Sequence, residues 1–529
     1  MKKIKYIAIV IAGLAFVATS CLKDLDTRPL DGNEITAADV FDDPEAYKQF
    51  LGKLYAGLAI SGQQGPAGMP DISGIDEGFG QYLRGFWYHQ VLTTDEAVIG
   101  WDDQTIKDFV YHSWSASDVF VAAMYYRIFY QISLANEFIR ETADDRLDAR
   151  GVTGNLRENI RTYRAEARFL RAMSYWHALD LFANVPFVTE ADPVGSFFPE
   201  QIMRADLFSY IESELIDIAD EMVAPRANEY GRADRGAAWM LLAKLYLNAE
   251  VYTNQPMYDK VIEYTSLIIN AGYDLQDNYA HLFTADNNPL EQDNFNEVIF
   301  AIRYEGTHTQ TFGGTNFIIH AAVGGDMNPD DYGIDGGWGG LRTTENLVNL
   351  FDGNDRRALF FSDGQTLDIV DLGNFNHGYA VVKFTNMRSD GTPGSRPDHV
   401  DTDFPLFRLA DAYLMYAEAV VRNGGGDRTT ALGYINDLRE RAFGNTSGNI
   451  TDGQMTAEFI LDERARELYW EGHRRTDLIR FGRFAGDTYN WPWKGNSADG
   501  APSAMRYNLF PLPFSDTSAN PNLEQNADY

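Results

Sequence analysis

The chain has 529 residues, 45% hydrophobic and 23% charged, which is enough apolar material for a large core and excludes a disordered polymer. Its formal net charge of −33 at pH 7 opposes binding to nucleic acid and to anionic surfaces. A single cysteine leaves no partner for an internal disulfide.

The first element is an export signal. Met1-Lys-Lys-Ile-Lys5 is basic, Tyr6 to Val17 is almost wholly apolar, and Ala18-Thr19-Ser20 leads to Cys21. A thiol directly after such a segment is where a bacterial lipoprotein is cut and acylated. Residues 1–20 are expected to be removed and Cys21 lipidated, although Ala18 stands where Leu is commoner. Several acyl chains on one cysteine hold a soluble body to a bilayer. The apolar run is too short to span a membrane, and no later stretch reaches ~20 apolar residues.

Residues 61–114 are rich in Gly, Asp and isolated aromatics and predict irregular structure. Helical periodicity then dominates. The spacing predicts helices over 120–141, 161–182 and 206–222, then over 235–249 and 258–271. The last two resemble a tetratricopeptide unit, small and large apolar residues alternating on paired helices. Residues 283–400 return to turn pairs such as Gly313-Gly314 and Asp335-Gly336, with short strands expected. A second helix pair is expected over 407–422 and 429–442, and a further helix over 458–472. The fold class is therefore mostly α, and no linker divides residues 21–529.

Much chemistry is absent. The nine histidines form no H-x-x-x-H pair, and there is no phosphate loop or G-x-S-x-G elbow. Carboxylates are abundant, so a glycosidase pair stays open. Glu463, Glu467 and Glu471 fall at i, i+4 and i+8, but Arg464, Arg466, Arg474 and Arg475 surround them, and an ion-paired helix face is the favoured reading. Asp95-Glu96 suits a turn at least as well as catalysis. Asp286, Asn287, Asn288, Glu291 and Asp293 supply oxygen ligands of the kind calcium takes, but without EF-hand spacing, and a plain polar loop is favoured.

Five blocks in order resemble the SusD/RagB family of outer-membrane nutrient-binding lipoproteins: Tyr163 to Ala172 with Leu181 to Pro186; Gly231-Arg-Ala-Asp234 with Leu241 to Asn248; Phe404 to Asp411 with Tyr413 to Glu418; Glu463 to Leu468 with Glu471 to Gly482; and Phe510-Pro-Leu-Pro513. The resemblance implies a scaffold of four tetratricopeptide-like helix pairs carrying a loop-rich binding region. It also implies a place over a TonB-dependent SusC-like outer-membrane transporter. The segment Leu22 to Asp26 is similar to the signal that sends Bacteroidetes lipoproteins to the cell surface.

The loops Thr94 to Trp101, Phe312-Gly-Gly314, Asp335 to Trp338 and Tyr489 to Gly495 resemble the starch-binding founder of that family more closely still. Carried over residue by residue, Trp101, Phe312 and Trp338 would form an aromatic arc that cradles an α-glucan or maltooligosaccharide. Arg84, Asp76 and Gln104 would bond its hydroxyls. Phe312 stands where Tyr is expected, and Gln104 where Asn is expected. The implied function is glycan capture without catalysis and without a cofactor. A surface glycoside hydrolase and a binder of another glycan or peptide are the rival readings.

Overall fold

The computed structural model describes residues 40–529, so the export signal and Cys21 lie outside the described residues. Residues 40–49 belong to a small unit of their own, and Phe50–Tyr529 form the unit that carries everything below.

The scaffold is helical. Its elements are α1 (Tyr82–Trp87), α2 (Val119–Glu141), α3 (Gly154–Phe182), α4 (Arg204–Ile218), α5 (Arg235–Leu247) and α6 (Tyr258–Ile269). After a loop-rich stretch come α7 (Gly314–Ala322), α8 (Leu409–Val421), α9 (Arg428–Phe443), α10 (Ala457–Leu468) and α11 (Arg474–Arg480). Helices pack on their neighbours in sequence: α2 on α3, α3 on α4, α5 on α6, α8 on α9. Contact between α6 and α8 joins the two halves across the intervening loops.

Local chemistry sets the starts. Asp118 accepts from the amides of Phe120 and Val121 at 2.9 and 3.0 Å, and Asp234 from those of Gly236 and Ala237 at 2.8 and 3.2 Å, so both helices begin on an aspartate cap. Gly444, at φ +70°, closes α9 in the left-handed region that glycine tolerates.

Boundaries differ from the periodicity where tertiary pairing decides them. Helical spacing includes residues 407–408, yet they belong to a strand, Phe404–Arg408, paired antiparallel with Val298–Ile302, and α8 starts only at Leu409. The helix expected over 458–472 ends at Leu468, which puts Glu471 in the following turn. Within residues 61–114, expected to be irregular, α1 and a π-turn over Tyr88–Leu92 run wholly buried. A segment buried on all sides has no polar face, so it shows no amphipathic period.

Candidate functional site

The site begins with two residues of backbone pairing. Strand β1 (Val98–Ile99) lies antiparallel to β2 (Leu341–Arg342), with Val98 opposite Arg342 and Ile99 opposite Leu341. The Gly100 amide extends the ladder to the Gly340 carbonyl at 2.9 Å. Trp101 follows the first strand and Trp338 precedes the second, so this short pair sets two residues 237 apart in sequence side by side. The Trp101 indole N–H donates to the Trp338 carbonyl at 3.2 Å.

The turn bearing Trp338 is tied to the end of α7. The amides of Trp338, Gly339 and Gly340 donate to the carbonyls of His320, Val323 and Ala321 at 2.7, 2.9 and 2.9 Å. Phe312 sits just before the start of the same helix. There Glu77, buried, accepts from the Thr311 hydroxyl at 2.7 Å and the Phe312 amide at 3.0 Å. Arg84 donates to the Phe312 carbonyl at 2.9 Å. Phe312 and Trp338 are thus each anchored through their backbones.

The three rings form one row. Trp101 and Trp338 centroids are 6.4 Å apart with planes at 43°, and Phe312 and Trp338 are 6.2 Å apart at 61°. Successive planes are tilted against one another, so the three rings are not coplanar. Phe312 is 41% exposed, and both tryptophans are half-buried.

Arg84 belongs to the row's support as much as to its surface. It is 4% exposed, with its guanidinium 4.1 Å from the Phe79 ring, 4.3 Å from Phe317 and 5.8 Å from Trp101. Its Nε donates to the Tyr88 hydroxyl at 2.6 Å. Burial pushes that phenol up to about 12 against the opposing pull of Arg84, so it stays neutral. Among the described residues no carboxylate pairs with Arg84; aromatic faces stand in its place. Asp76 is exposed and accepts from the Phe79 amide at 2.8 Å. Gln104 is exposed in the turn after Trp101, at φ +41°. Trp101, Trp338, Phe312 and Arg84 therefore meet directly; Asp76 and Gln104 lie on the segments that flank them. Glu77, Phe79, Phe317 and His320 complete the surroundings. They had no local sequence signal, because the contacts that define them cross the chain: Glu77 reaches Phe312, 235 positions away.

The carboxylates that left hydrolysis open are spent inside the protein. Glu467 contacts Arg357 at 3.0 Å, Arg408 at 2.6 Å and Arg441. Glu463 contacts Arg357, Arg439 and Arg466, each at 2.8 Å. Glu471 contacts Arg408 and Lys383, both at 2.6 Å. All three are buried, so the expected ion-paired helix face lies inside the protein. Most partners also differ from those expected: Arg464 pairs with Asp411 and Asp477, Arg474 with Asp95, and Arg475 with Asp180. Burial drives Glu463 and Glu467 up, but the arginines outweigh it and hold both below the usual carboxylate range. Asp95 takes both prongs of Arg474 at 2.7 and 2.8 Å and the Tyr489 hydroxyl at 2.6 Å. Glu96, pushed up to about 8 by burial, accepts from the Trp470 amide at 2.9 Å.

The oxygens considered for calcium do not converge. Asp286 accepts from the Ser389 amide and hydroxyl at 2.9 and 2.6 Å, Asn288 caps the Leu290 amide at 3.1 Å, and Asn287 bonds backbone at Leu282 and Asp403. Glu291 pairs with Arg388, and Asp293 is exposed. Among the described residues no cluster of three or more His, Cys, Asp or Glu side chains is placed to hold a metal.

Comparison with known proteins agrees with this architecture. Residues 357–529 match the model of the SusD family. The starch-binding protein SusD of Bacteroides thetaiotaomicron is 36% identical over 581 aligned positions that cover all of both chains. The SusD-like protein P25 of Formosa agariphila is 29% identical over 360, covering 60% of this chain and 63% of its own. Among solved structures, surface glycan-binding protein A from Bacteroides thetaiotaomicron, in complex with laminarihexaose, superposes with a TM-score of 0.68 at 18% identity, covering 91% of this chain and 99% of that one. The corresponding protein from Bacteroides fluxus gives 0.69 at 21%, with coverage of 91% and 99%. At those identities the likeness is one of fold. The chain belongs to the SusD family.

Proposed function

We propose that this protein is a non-enzymatic glycan-binding lipoprotein of the outer cell surface, which captures α-glucan and delivers it to a TonB-dependent SusC-like transporter. The observation that carries the reading is the contiguous row Trp101–Trp338–Phe312 beside the aromatic-clamped Arg84. A pyranose ring has an apolar C–H face and equatorial hydroxyls. An aromatic ring buries that face at roughly 25 cal/mol per Å², while Arg84, Asp76 and Gln104 bond the hydroxyls and fix orientation. Tilted successive rings suit a curved chain of sugars better than a flat ribbon. The name of the 36% identical relative, a starch-binding protein, supports α-glucan as the cargo.

Two further parts of the reading have separate support. Lack of catalysis is supported by the burial of Asp95, Glu96, Glu463, Glu467 and Glu471 in internal bonds, where no polysaccharide reaches them. Attachment through a lipid on Cys21 is supported by the sequence Ala18 to Cys21, and Phe50–Tyr529 are the unit that carries the aromatic row. Among the described residues no helix is long and apolar enough to cross a membrane. Calcium has no part in this reading.

Affinity electrophoresis against a polysaccharide panel tests the cargo. Starch and pullulan in the gel should retard the protein and laminarin should not. Retardation by laminarin alone, the β-linked class to which the laminarihexaose of the solved structural relative belongs, would replace α-glucan with another glycan on the same scaffold.

A further inference from the structure

Behind Trp338 lies a second flat ring. His320, on the last turn of α7, stacks on the indole with centroids 4.8 Å apart and planes at 28°. The carbonyl of the same residue accepts the Trp338 amide at 2.7 Å. One residue therefore holds Trp338 twice, by its backbone and by its side chain. His320 is 1% exposed, so it cannot touch a glycan lying on the row. Its own ring is fixed in turn: Nδ1 is 2.9 Å from the Asn316 carbonyl one helical turn back, and Nε2 faces the Asp335 carboxylate at 3.7 Å, in the turn that carries Trp338. Burial holds this imidazole below its ordinary pKa, so the ring under the indole is neutral near pH 7.

We infer that His320 is a positioning residue for glycan binding, a buried ring that locks the Trp338 indole in its binding orientation. The inference rests on the glycan-binding reading of the aromatic row. An indole half-exposed on a glycine-rich turn would otherwise sample several rotamers, and ligand binding would have to freeze them. A stacked ring and a shared backbone bond remove that freedom before the sugar arrives, as supporting contacts do for a preorganised site.

The test is a double-mutant cycle read by calorimetric titration with maltoheptaose, each variant being checked for fold by circular dichroism. Trp338→Ala should weaken binding about tenfold and His320→Ala about three- to tenfold. His320→Phe, which keeps a flat ring, should stay within about twofold of wild type. In the Trp338→Ala background, His320→Ala should produce no further loss, because its effect runs through the missing indole. His320→Leu, close in volume but without a flat ring, takes the place of His320→Ala if the latter fails to fold. Full affinity in His320→Ala or His320→Leu while Trp338→Ala is weakened would overturn the inference and leave the binding site standing. An equal loss from His320→Ala with and without Trp338 would also overturn it, since the histidine would then act through the fold at large. Wild-type affinity in Trp338→Ala would overturn both.

Discussion

Gly340 stands directly against Trp101: a methyl group in place of its hydrogen would lie 2.4 Å from Cε2 of the indole and 2.7 Å from Nε1. No Cβ fits at that separation, and a rigid indole cannot bend aside as a lysine tip would. The glycine is therefore required by the ring beside it, not by backbone conformation.

Gly340→Ala should displace Trp101 and weaken α-glucan binding about tenfold, or about 1.4 kcal/mol, with the overall fold kept. Calorimetric titration with maltoheptaose alongside thermal melting checks this. Unchanged affinity in a folded variant would mean that Trp101 does not contact the glycan.

Glu467→Ala separates structure from binding. It leaves Arg357, Arg408 and Arg441 facing one another without their shared carboxylate, and the side chains of all three are almost sealed from solvent. Removing one partner of a buried ion pair costs on the order of 3–5 kcal/mol. Thermal melting should show a marked loss of stability, while maltoheptaose affinity measured below the melting transition stays within about twofold of wild type. A variant as stable as wild type would contradict the network's structural role.

Stability should follow a defined pH profile. His89, His112, His177 and His473 are buried and desolvated, which lowers each to about 3. The unfolded chain takes up protons near pH ~6.5 where the folded chain does not, so this stability is present above ~6.5 and lost as pH falls towards 3. Glu463, which burial raises but Arg357, Arg466 and Arg439 bring down to about 2, acts in the same direction below its unfolded value. Glu96 and Asp403 oppose them: burial raises these to about 8 and about 7, so the folded chain keeps protons that the unfolded chain releases. Their contribution is present at low pH and is lost as pH rises through those values. The melting temperature should be highest between about pH 6 and 7 and fall steeply below about 5. Above about 7 the loss from Glu96 and Asp403 is met by Lys383 and Lys494, which burial lowers to about 8 and which therefore favour the folded chain as pH rises. A melting temperature that stays level or rises as pH falls from about 6 to 4 would contradict the neutral state of the buried histidines.

The burial of the acidic residues also predicts no hydrolysis. Long incubation with starch should release no reducing sugar above a protein-free control. Activity abolished by Asp95→Asn or Glu467→Gln would restore the glycosidase reading.

The sequence was most legible where helices are amphipathic or capped by an aspartate. The helices over 119–141, 258–269 and 428–443 fall within one or two residues of the expected limits. Legibility failed where burial was complete or pairing was distant. Tyr82–Leu92 has no polar face to produce a period, and Phe407 and Arg408 are drawn into a strand by Val298–Ile302, more than a hundred residues earlier. The ion pairs show the same limit. The arginines adjacent to Glu463 and Glu467 in sequence are the natural candidates, yet Arg357, Arg408 and Arg441 arrive from other elements. For the site, resemblance pointed to the three rings and Arg84. The groups that hold them, Glu77 on Phe312 and His320 on Trp338, became visible only once the chain was folded.

The most direct measurement is a calorimetric titration of maltoheptaose into the wild type and into the Trp101→Ala/Trp338→Ala double variant. Sugar sites exchange well-hydrated hydroxyls for protein bonds, so the wild type should bind with a Kd on the order of 10 µM to 1 mM. The folded double variant should show no measurable heat of binding over the same range. Equal affinity in the two proteins, or no binding by the wild type together with tight binding of a β-linked glucan, would contradict the assignment of this aromatic row to α-glucan capture.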